Sequence, residues 1–368
     1  MGTRNWKLEI TMILKRLLLQ NFRSYDSADF SFSSSITFIV GPNTAGKSNI
    51  IESISLLSLG KSKRADHYEQ LIKIDEDISR VKGSIESEDN EKRELEVTLA
   101  KGEKWGKNGV IKKYLLNGLP KRRTDFAGIL PTLLFEPSEL DLISGSPGLR
   151  RDLMDEVLEQ TDRQYRRDML TYTKALRQRN ALLQRARESG VRVEKQFNYW
   201  DEVVIRTGTT ITEKRRQFIE FLNNSEKKLF LLYITYDPSV ISADRLLQYR
   251  EAEIGAGVTL VGPHRDDVIF SMKRENEIEL PLKAYGSRGQ QRLGVLQLKL
   301  LQLEYMREIL SEPPVLLLDD IFSELDDEHI KHLLGVIGKQ QTIITTTHKE
   351  FIQQIGLNTT NLIELNAV

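Results

Sequence analysis

The chain has 368 residues, of which 39% are hydrophobic and 29% are charged, a balance that excludes a mostly disordered protein. Its formal net charge of +0 means that binding of a polyanion would require basic residues clustered on one face. The absence of cysteine excludes disulfides, zinc–thiolate sites and thiol catalysis. Since no apolar run reaches the roughly 20 residues that cross a bilayer, we expect a cytoplasmic protein without a membrane segment.

The first part of the chain is predicted to be rich in strands. Residues 1–11 contain no apolar signal-peptide core, and we interpret them as a tag or an N-terminal extension. Within residues 12–137, Ile36–Val40 is apolar throughout, as in a buried strand. The spacing then predicts a helix over Ser48–Leu59. Asn117-Gly118 predicts a two-residue hairpin turn.

The middle of the chain is predicted to be helical. Apolar residues recur at helical spacing over residues 138–228, and Leu229–Tyr236 then has the composition of a strand. The sequence therefore predicts an α/β fold with two lobes. Residues 12–137 and 229–368 would form one lobe, with a mixed sheet and an antiparallel β-subdomain. Residues 138–228 would form an inserted helical lobe.

A phosphate-binding loop is predicted between the Ile36–Val40 strand and the helix that follows it. The segment Gly41-Pro42-Asn43-Thr44-Ala45-Gly46-Lys47-Ser48 fits the pattern G-x-x-x-x-G-K-[ST]. Backbone N–H groups of such a loop, at a helix N-terminus, bind phosphates. Lys47 is predicted to reach the β- and γ-phosphates of ATP, and the Ser48 hydroxyl to bind Mg²⁺, with Asn49 as the next cofactor-binding residue. The alternative is a chance glycine-rich turn, which the flanking strand and helix disfavour.

A buried strand that ends in carboxylates follows much later, at Val315–Asp319. This arrangement is typical of a Walker B motif, in which Asp319 binds the metal and Asp320 orients or deprotonates the attacking water. The alternative is that the two aspartates cap a following helix.

Three shorter segments complete a set of motifs. In chain order they are Gly286-Ser287-Arg288-Gly289-Gln290, Ser323-Glu324-Leu325-Asp326 and Thr345-Thr346-Thr347-His348. They resemble the signature loop, D-loop and switch-histidine loop of ABC-type ATPases, and they stand in the ABC order. The resemblance implies that Ser287 to Gln290 of a second protomer cover the γ-phosphate, so that ATP joins a homodimer. It also implies that Lys47, Asp320 and His348 act in hydrolysis.

Two positions depart from the ABC pattern. Asp320 stands where ABC ATPases usually carry the longer glutamate, so we predict slow turnover. Glu136 lies near the place where the resemblance expects a Q-loop glutamine.

The interval between Lys47 and Ser287 is too long for a transporter ATPase and lacks the heptads of an SMC coiled coil. Further segments are similar to the RecF family, including Leu17–Tyr25, Phe135–Leu140 and Gly262–Asp267. The chain thus resembles this family over nearly its whole length. The resemblance implies an ATP-dependent dimeric clamp on double-stranded DNA near single-strand gaps, whose slow hydrolysis resets it. It also implies RecR and RecO as partners in loading RecA during repair and the SOS response.

Basic clusters are candidate contacts for DNA phosphates. They are Lys61-Lys63-Arg64, Lys112-Lys113, Lys121-Arg122-Arg123, Arg150-Arg151, Arg163 with Arg166-Arg167, and Arg177-Arg179 with Arg185-Arg187. The alternative for any one cluster is an ordinary solvated face. For the whole chain, the alternative function is an SMC-like or other ABC nucleotide switch that acts through protein partners.

Overall fold

The computed structural model describes residues 12–87, 91–102, 109–191, 194–273, 279–324, 339–347 and 361–366, with residues 330, 333, 335 and 337. The chain divides into two compact units. The first comprises Met1–Glu139 and Gln302–Val368, and the second comprises Leu140–Leu301.

The first unit contains an antiparallel sheet in the order β2-β1-β4-β5-β6-β7. Its strands are β1 Ile13–Phe22, β2 Tyr25–Ser31, β4 Ile78–Glu86, β5 Lys92–Lys101, β6 Val110–Leu116 and β7 Leu119–Lys121. Asn117 and Gly118 connect β6 to β7 with φ of 51° and 75°, and Leu116 pairs with Leu119. Positive φ at both central residues defines the tight turn that Asn-Gly favours, so the predicted hairpin is confirmed.

The same unit contains a parallel sheet in the order β14-β3-β13-β12-β8. Its strands are β3 Ile36–Val40, β8 Thr132–Phe135, β12 Val315–Asp319, β13 Thr342–Thr346 and β14 Asn361–Glu364. Strands β3, β8, β12 and β13 are buried along their whole length, which explains their continuous apolar or threonine-containing sequences. The predicted strands at β3 and β12 are confirmed, and β13 is two residues longer than the predicted Thr342–Ile344.

The helix α1, Lys47–Leu59, packs against both sheets of this unit. The hydrophobic core joins α1 residues such as Ile51 to β1 and β12 residues such as Leu17 and Leu317. The buried side chain of Gln341 connects the two sheets: its amide accepts from Leu14 N–H and donates to the carbonyls of Leu14 and Ser33. The sheet that carries β3 is therefore fixed to its antiparallel neighbour by apolar and polar contacts.

The second unit combines long helices with a small antiparallel sheet in the order β11-β10-β9. Its helices and strands are α3 Pro147–Thr161, α4 Arg163–Ser189, α5 Glu194–Asn224, β9 Leu232–Asp237, α6 Ala243–Gln248, α7 Arg250–Ala256, β10 Asp267–Lys273, β11 Glu279–Pro281 and α8 Leu282–Tyr285. The short α2, Arg123–Phe126, belongs to the first unit, and α9, Arg288–Leu310, spans the sequence boundary between the units.

The compact units differ from the predicted lobes over residues 229–301. The sequence predicts these residues in the ATPase lobe, and that lobe boundary stays a prediction; by its contacts the chain groups them with the second compact unit. The reason is that β9 and β10 pair with each other and pack on α5 and α3 respectively. Among the described residues, no helix combines the length and the apolar character needed to span a membrane.

Candidate functional site

Four parallel strands of the first unit deliver the predicted chemical groups to one edge of their sheet. Strand β3 leads into the loop Gly41–Ser48, and β12 ends at Asp319. Strand β13 supplies Thr345, which is paired with Asp319 in the register, and β8 leads into Glu136. Because the carboxyl ends of parallel strands share an edge, residues far apart in sequence meet here.

The loop Gly41–Ser48 requires two left-handed backbone conformations, at Thr44 with φ of 75° and at Gly46 with φ of 87°. A Cβ atom on Gly46 would lie 2.6 Å from the Tyr25 hydroxyl oxygen, so only glycine fits there. Burial raises the pKa of that Tyr25 hydroxyl to about 12. Tyr25 therefore packs against the loop in its neutral form.

Lys47 lies across the loop that carries it. Its Nζ donates to the carbonyl oxygens of Gly41 at 2.7 Å and Pro42 at 2.9 Å, and the residue is only 6% exposed. Burial lowers the pKa of the Lys47 ammonium, while attraction to Asp320 and Asp319 opposes that shift. The ammonium group is thus held next to the backbone that would surround a phosphate.

Asp319 is 2% exposed and hydrogen-bonded on both oxygens. Its Oδ1 accepts from the Ser48 hydroxyl at 3.2 Å and from the Thr345 hydroxyl at 2.6 Å. The sequence alone does not single out Thr345, which lies in the segment that resembles a switch-histidine loop. A serine hydroxyl beside a carboxylate offers the hard oxygen ligands that Mg²⁺ takes when phosphates and waters complete its octahedron. The described residues contain no cluster of three acidic or histidine side chains that would hold a metal alone.

Asp320 has a strained backbone, with φ of 51°. Its N–H donates to Thr345 Oγ1 at 3.0 Å and to the Thr345 carbonyl at 3.2 Å. The Ser323 hydroxyl donates to the Asp320 carbonyl at 2.7 Å. Strand β13 therefore fixes the position of the second aspartate, and Asp320 does not simply continue the strand.

Arg64 is a residue of this site that sequence reasoning assigned to a different role, as part of a DNA-binding cluster. Its guanidinium donates to Asp319 Oδ2 at 2.7 Å and to Glu136 Oε2 at 2.8 Å. Burial would lower the pKa of Arg64, but attraction to Glu136 and Asp319 outweighs it and raises that pKa. Burial would likewise raise the pKa of Glu136, and the charge and hydrogen bonds of Arg64 lower it instead. Arg64 and Glu136 are therefore both charged.

Asn49, predicted to bind the cofactor, is engaged with the neighbouring hairpin. Its side-chain amide donates to the Ser24 hydroxyl at 3.0 Å. This contact fixes the turn between β1 and β2 against the start of α1. In the structure, Asn49 therefore supports the end of the loop Gly41–Ser48.

The segment Ser287 to Gln290 begins α9 in the second unit. Ser287 Oγ accepts from Gln290 N–H at 3.2 Å, and Gln290 Oε1 accepts from Ser287 N–H at 2.9 Å. This reciprocal pair is a capping box, which satisfies N–H groups at the first turn of a helix. Ser287, Arg288 and Gly289 are exposed, so a second molecule can reach them. His348, and Leu325 and Asp326 of the predicted D-loop, lie outside the described residues.

Comparisons with known proteins agree with this architecture. Residues 13–365 match the family model described as the RecF/RecN/SMC N terminal domain. The DNA replication and repair protein RecF of Halalkalibacterium halodurans is 34% identical, over 96% of this chain and 98% of the relative. The protein of the same name from Lysinibacillus sphaericus is 33% identical, over 94% and 97%. The chain belongs to the RecF family.

Solved structures place the fold in the same family. The structure of the recombination mediator protein RecF-ATP in the RecFOR pathway matches with a TM-score of 0.82 and 30% identity, covering 95% of each chain. The Smc head domain of Pyrococcus furiosus matches with a TM-score of 0.52 and 18% identity, which supports a shared fold alone. The predicted α/β fold of the ABC-type ATPase class is thus confirmed, as a RecF/SMC head-like fold.

The RecF-like segment Gly262–Asp267 has a structural explanation in this chain. Asp266 accepts hydrogen bonds from Arg215 at 2.8 Å and from the Tyr236 hydroxyl. His264 Nδ1 is 2.7 Å from the Tyr172 hydroxyl, and its Nε2 is 3.1 Å from the Thr259 carbonyl. The segment therefore joins α4, α5 and β9 within the second unit.

Three arginines from the predicted DNA clusters are buried in this RecF-family chain. Arg150 pairs with Asp267 at 2.7 Å, and Arg179 pairs with Glu253 at 2.7 Å. Arg166 donates to backbone carbonyls at the end of α3. Clustering in the sequence made these residues candidates for phosphate contacts. Because their side chains are buried, they cannot contact a phosphate at the surface.

Proposed function

We propose that this RecF-family chain is an ATP-dependent DNA-binding protein that acts in recombinational repair. The single observation that supports the nucleotide site best is the contact between Ser48 Oγ and Asp319 Oδ1 at 3.2 Å, at the end of the loop that holds Lys47. It joins the loop that we propose for the phosphates to the carboxylate that we propose for the metal, across 271 positions of sequence. The likeness to a structure of RecF-ATP is consistent with this assignment.

In this proposal the loop Gly41–Ser48 holds the phosphates through its backbone N–H groups, and Lys47 turns from the Gly41 and Pro42 carbonyls to the β- and γ-phosphates. Ser48 and Asp319 would hold Mg²⁺, and the ion would neutralise charge on the phosphates. Asp320 orients the attacking water, His348 assists, and the shorter aspartate keeps turnover slow.

The segment Ser287 to Gln290, of which Ser287, Arg288 and Gly289 are exposed, is proposed to cover the γ-phosphate of a second protomer, so that ATP holds a homodimer together. The capping box supports this assignment because it gives the loop a fixed shape while leaving it exposed. Hydrolysis would then separate the protomers and release DNA.

The exposed face of α4 is the DNA-binding surface that we propose. The exposed basic residues along one line of α4 are Arg163, Arg167, Lys174, Arg177 and Arg185. At about 100° per residue they lie within about 40° of one line, and they span about 33 Å along the helix. A basic stripe of that length suits phosphate contacts on duplex DNA without base recognition. By family membership, RecR and RecO are the proposed partners, with RecA loading as the outcome.

The test compares wild type with Lys47→Met, Ser287→Asp and Ser287→Asn by solution mass and by retention of fluorescent duplex DNA, with and without ATP and Mg²⁺. We expect only wild type and Ser287→Asn to dimerise with ATP and to gain DNA affinity. Ser287→Asp keeps a good helix N-cap, as Ser287→Asn does, but places a negative charge against the γ-phosphate. Lys47→Met should fail at nucleotide binding itself.

The DNA surface is tested separately with the triple variant Arg167→Gln, Lys174→Gln, Arg177→Gln. We expect weaker binding to all duplex sequences, with the salt slope reduced by about one per lost phosphate contact. The double variant Arg206→Gln, Arg216→Gln on α5 is the control, since both residues are exposed outside the stripe. If wild type stays monomeric with ATP and its DNA binding ignores ATP, the nucleotide switch acting through protein partners becomes the better description.

A further inference from the structure

Arg64 occupies one side of the carboxylate that we assign to the metal. Its guanidinium donates to Asp319 Oδ2 at 2.7 Å, while the Ser48 and Thr345 hydroxyls donate to Oδ1. The same guanidinium holds Glu136 Oε2 through two N–H groups, at 2.8 and 3.2 Å. Asp319 is therefore already paired with a cation, Arg64, and Arg64 is also paired with a second carboxylate, Glu136.

The loop that carries Arg64 is fastened to α1. Ser62 Oγ accepts from the N–H groups of Arg64 and Ala65 and donates to Glu52 Oε1 at 2.6 Å. Glu52 is in turn held by Arg23 at 2.7 and 2.8 Å. With its backbone anchored in this way, Arg64 can change partner by rotation of its side chain alone. About a third of that side chain is exposed, which leaves room for the movement.

We infer that Arg64 is an internal cation that competes with the divalent ion for Asp319 and moves wholly onto Glu136 when the ion binds. A guanidinium and a divalent ion at one carboxylate repel each other, so occupation by one disfavours the other. Glu136 keeps the displaced Arg64 paired. This inference rests on the proposed nucleotide site and adds Arg64 as a positioning residue for Asp319.

The consequence is that the metal binds well only together with a triphosphate, because the phosphate oxygens supply the attraction that Arg64 opposes. Arg64 thus lowers the affinity of the Ser48 hydroxyl and the Asp319 carboxylate for a metal ion that arrives without a nucleotide. Its hydrogen bond to Asp319 Oδ2 also orients that carboxylate when no ion is bound.

The test is Mn²⁺ binding to the full chain, measured by EPR with the chain in excess over a non-hydrolysable ATP analogue. We expect Arg64→Gln to bind Mn²⁺ about five- to tenfold more tightly than wild type, since it removes a positive charge at hydrogen-bond distance from the ligand. Arg64→Lys, which keeps the charge, should stay near wild type. Lys63→Gln is the matched control, because it removes the same charge from the neighbouring residue, whose ion pair is with Glu139.

A double-mutant cycle separates competition from a structural effect. Asp319→Asn removes the shared carboxylate, so adding Arg64→Gln to it should bring no gain in Mn²⁺ affinity. Weaker or unchanged Mn²⁺ binding by Arg64→Gln, or a gain that persists without Asp319, would overturn the inference. Analogue binding in EDTA, by wild type against Lys47→Met, tests the nucleotide site independently. If wild type binds the analogue in EDTA but Arg64→Gln shows no gain in Mn²⁺ affinity, the nucleotide site stands and only the competition between Arg64 and the ion is refuted.

Discussion

Both units of this chain contain an arginine that bridges two carboxylates, but the two arginines differ sharply in burial. Arg64 bridges Glu136 and Asp319 with 34% of its side chain exposed. Arg215 bridges Asp155 and Asp266 with 2% exposed. The first bridge lies at an open edge of a sheet, and the second lies inside the second unit among tyrosines.

The difference in burial separates an exchangeable ion pair from a fixed one. Around Arg215, Tyr165 also donates to Asp155, and burial raises the pKa of Tyr165, so that phenol stays protonated. Removing Arg215 would leave uncompensated buried charge, since only 2% of its side chain is exposed. Water or a divalent ion can replace Arg64. The same chemical unit is therefore structural in one place and suited to function in the other.

Arg215→Gln gives the largest effect that we expect. It leaves Asp155 and Asp266 without their cation, and we predict a loss of about 3–5 kcal/mol in the free energy of unfolding. Urea unfolding followed by circular dichroism measures it. Arg216→Gln is the matched control, because its pair with Glu213 is exposed and should contribute at most about 1 kcal/mol. Equal losses of unfolding free energy in Arg215→Gln and Arg216→Gln would contradict the inference that the buried ion pair matters more than the exposed one.

His264 tests the same buried region through pH. Burial lowers the pKa of His264 to about 4 from 6.5. The unfolded chain then binds the proton more readily, so the stability from neutral His264 is complete above pH 6.5 and is lost as pH falls towards 4.

The expected loss reaches about 3 kcal/mol between those pH values. His264→Gln can keep both hydrogen bonds without titrating, so its unfolding free energy should fall less between pH 7 and pH 4.5. Parallel urea titrations at the two pH values give the comparison. Identical pH dependence of the unfolding free energy in wild type and variant would mean that protonation of His264 does not cause the loss of stability.

Asp162 represents the intermediate case of a half-buried pair, with the smallest effect. It caps α4 by accepting from Tyr165 N–H at 2.9 Å, and it pairs with Lys214 at 2.8 Å. Asp162→Ala should cost about 1–2 kcal/mol through the lost cap. Asp162→Asn keeps the cap and loses the charge, so it should cost less than about 1 kcal/mol. If thermal melting finds asparagine as harmful as alanine, the ion pair matters more than its exposure suggests.

Sequence reasoning succeeded where one short segment contains the whole signal. The loop Gly41–Ser48 and the strand Val315–Asp319 are such segments, because glycine spacing and apolar runs reflect local backbone requirements. It did not predict the ion pairs of Arg64, whose partners Glu136 and Asp319 are 72 and 255 positions away. Thr345 was missed as an Asp319 partner for the same reason.

The sequence by itself determined the fold class, the family and the groups at the ends of β3 and β12, since each depends on local pattern or on overall likeness. Tertiary structure alone decided which basic residues are available to bind and which are internal counter-ions. Arg150, Arg166 and Arg179 have the same charge as Arg163, Arg167 and Arg177, but only the second set is exposed. The physical reason is that charge is a property of the residue, whereas burial and pairing arise only when distant segments pack together.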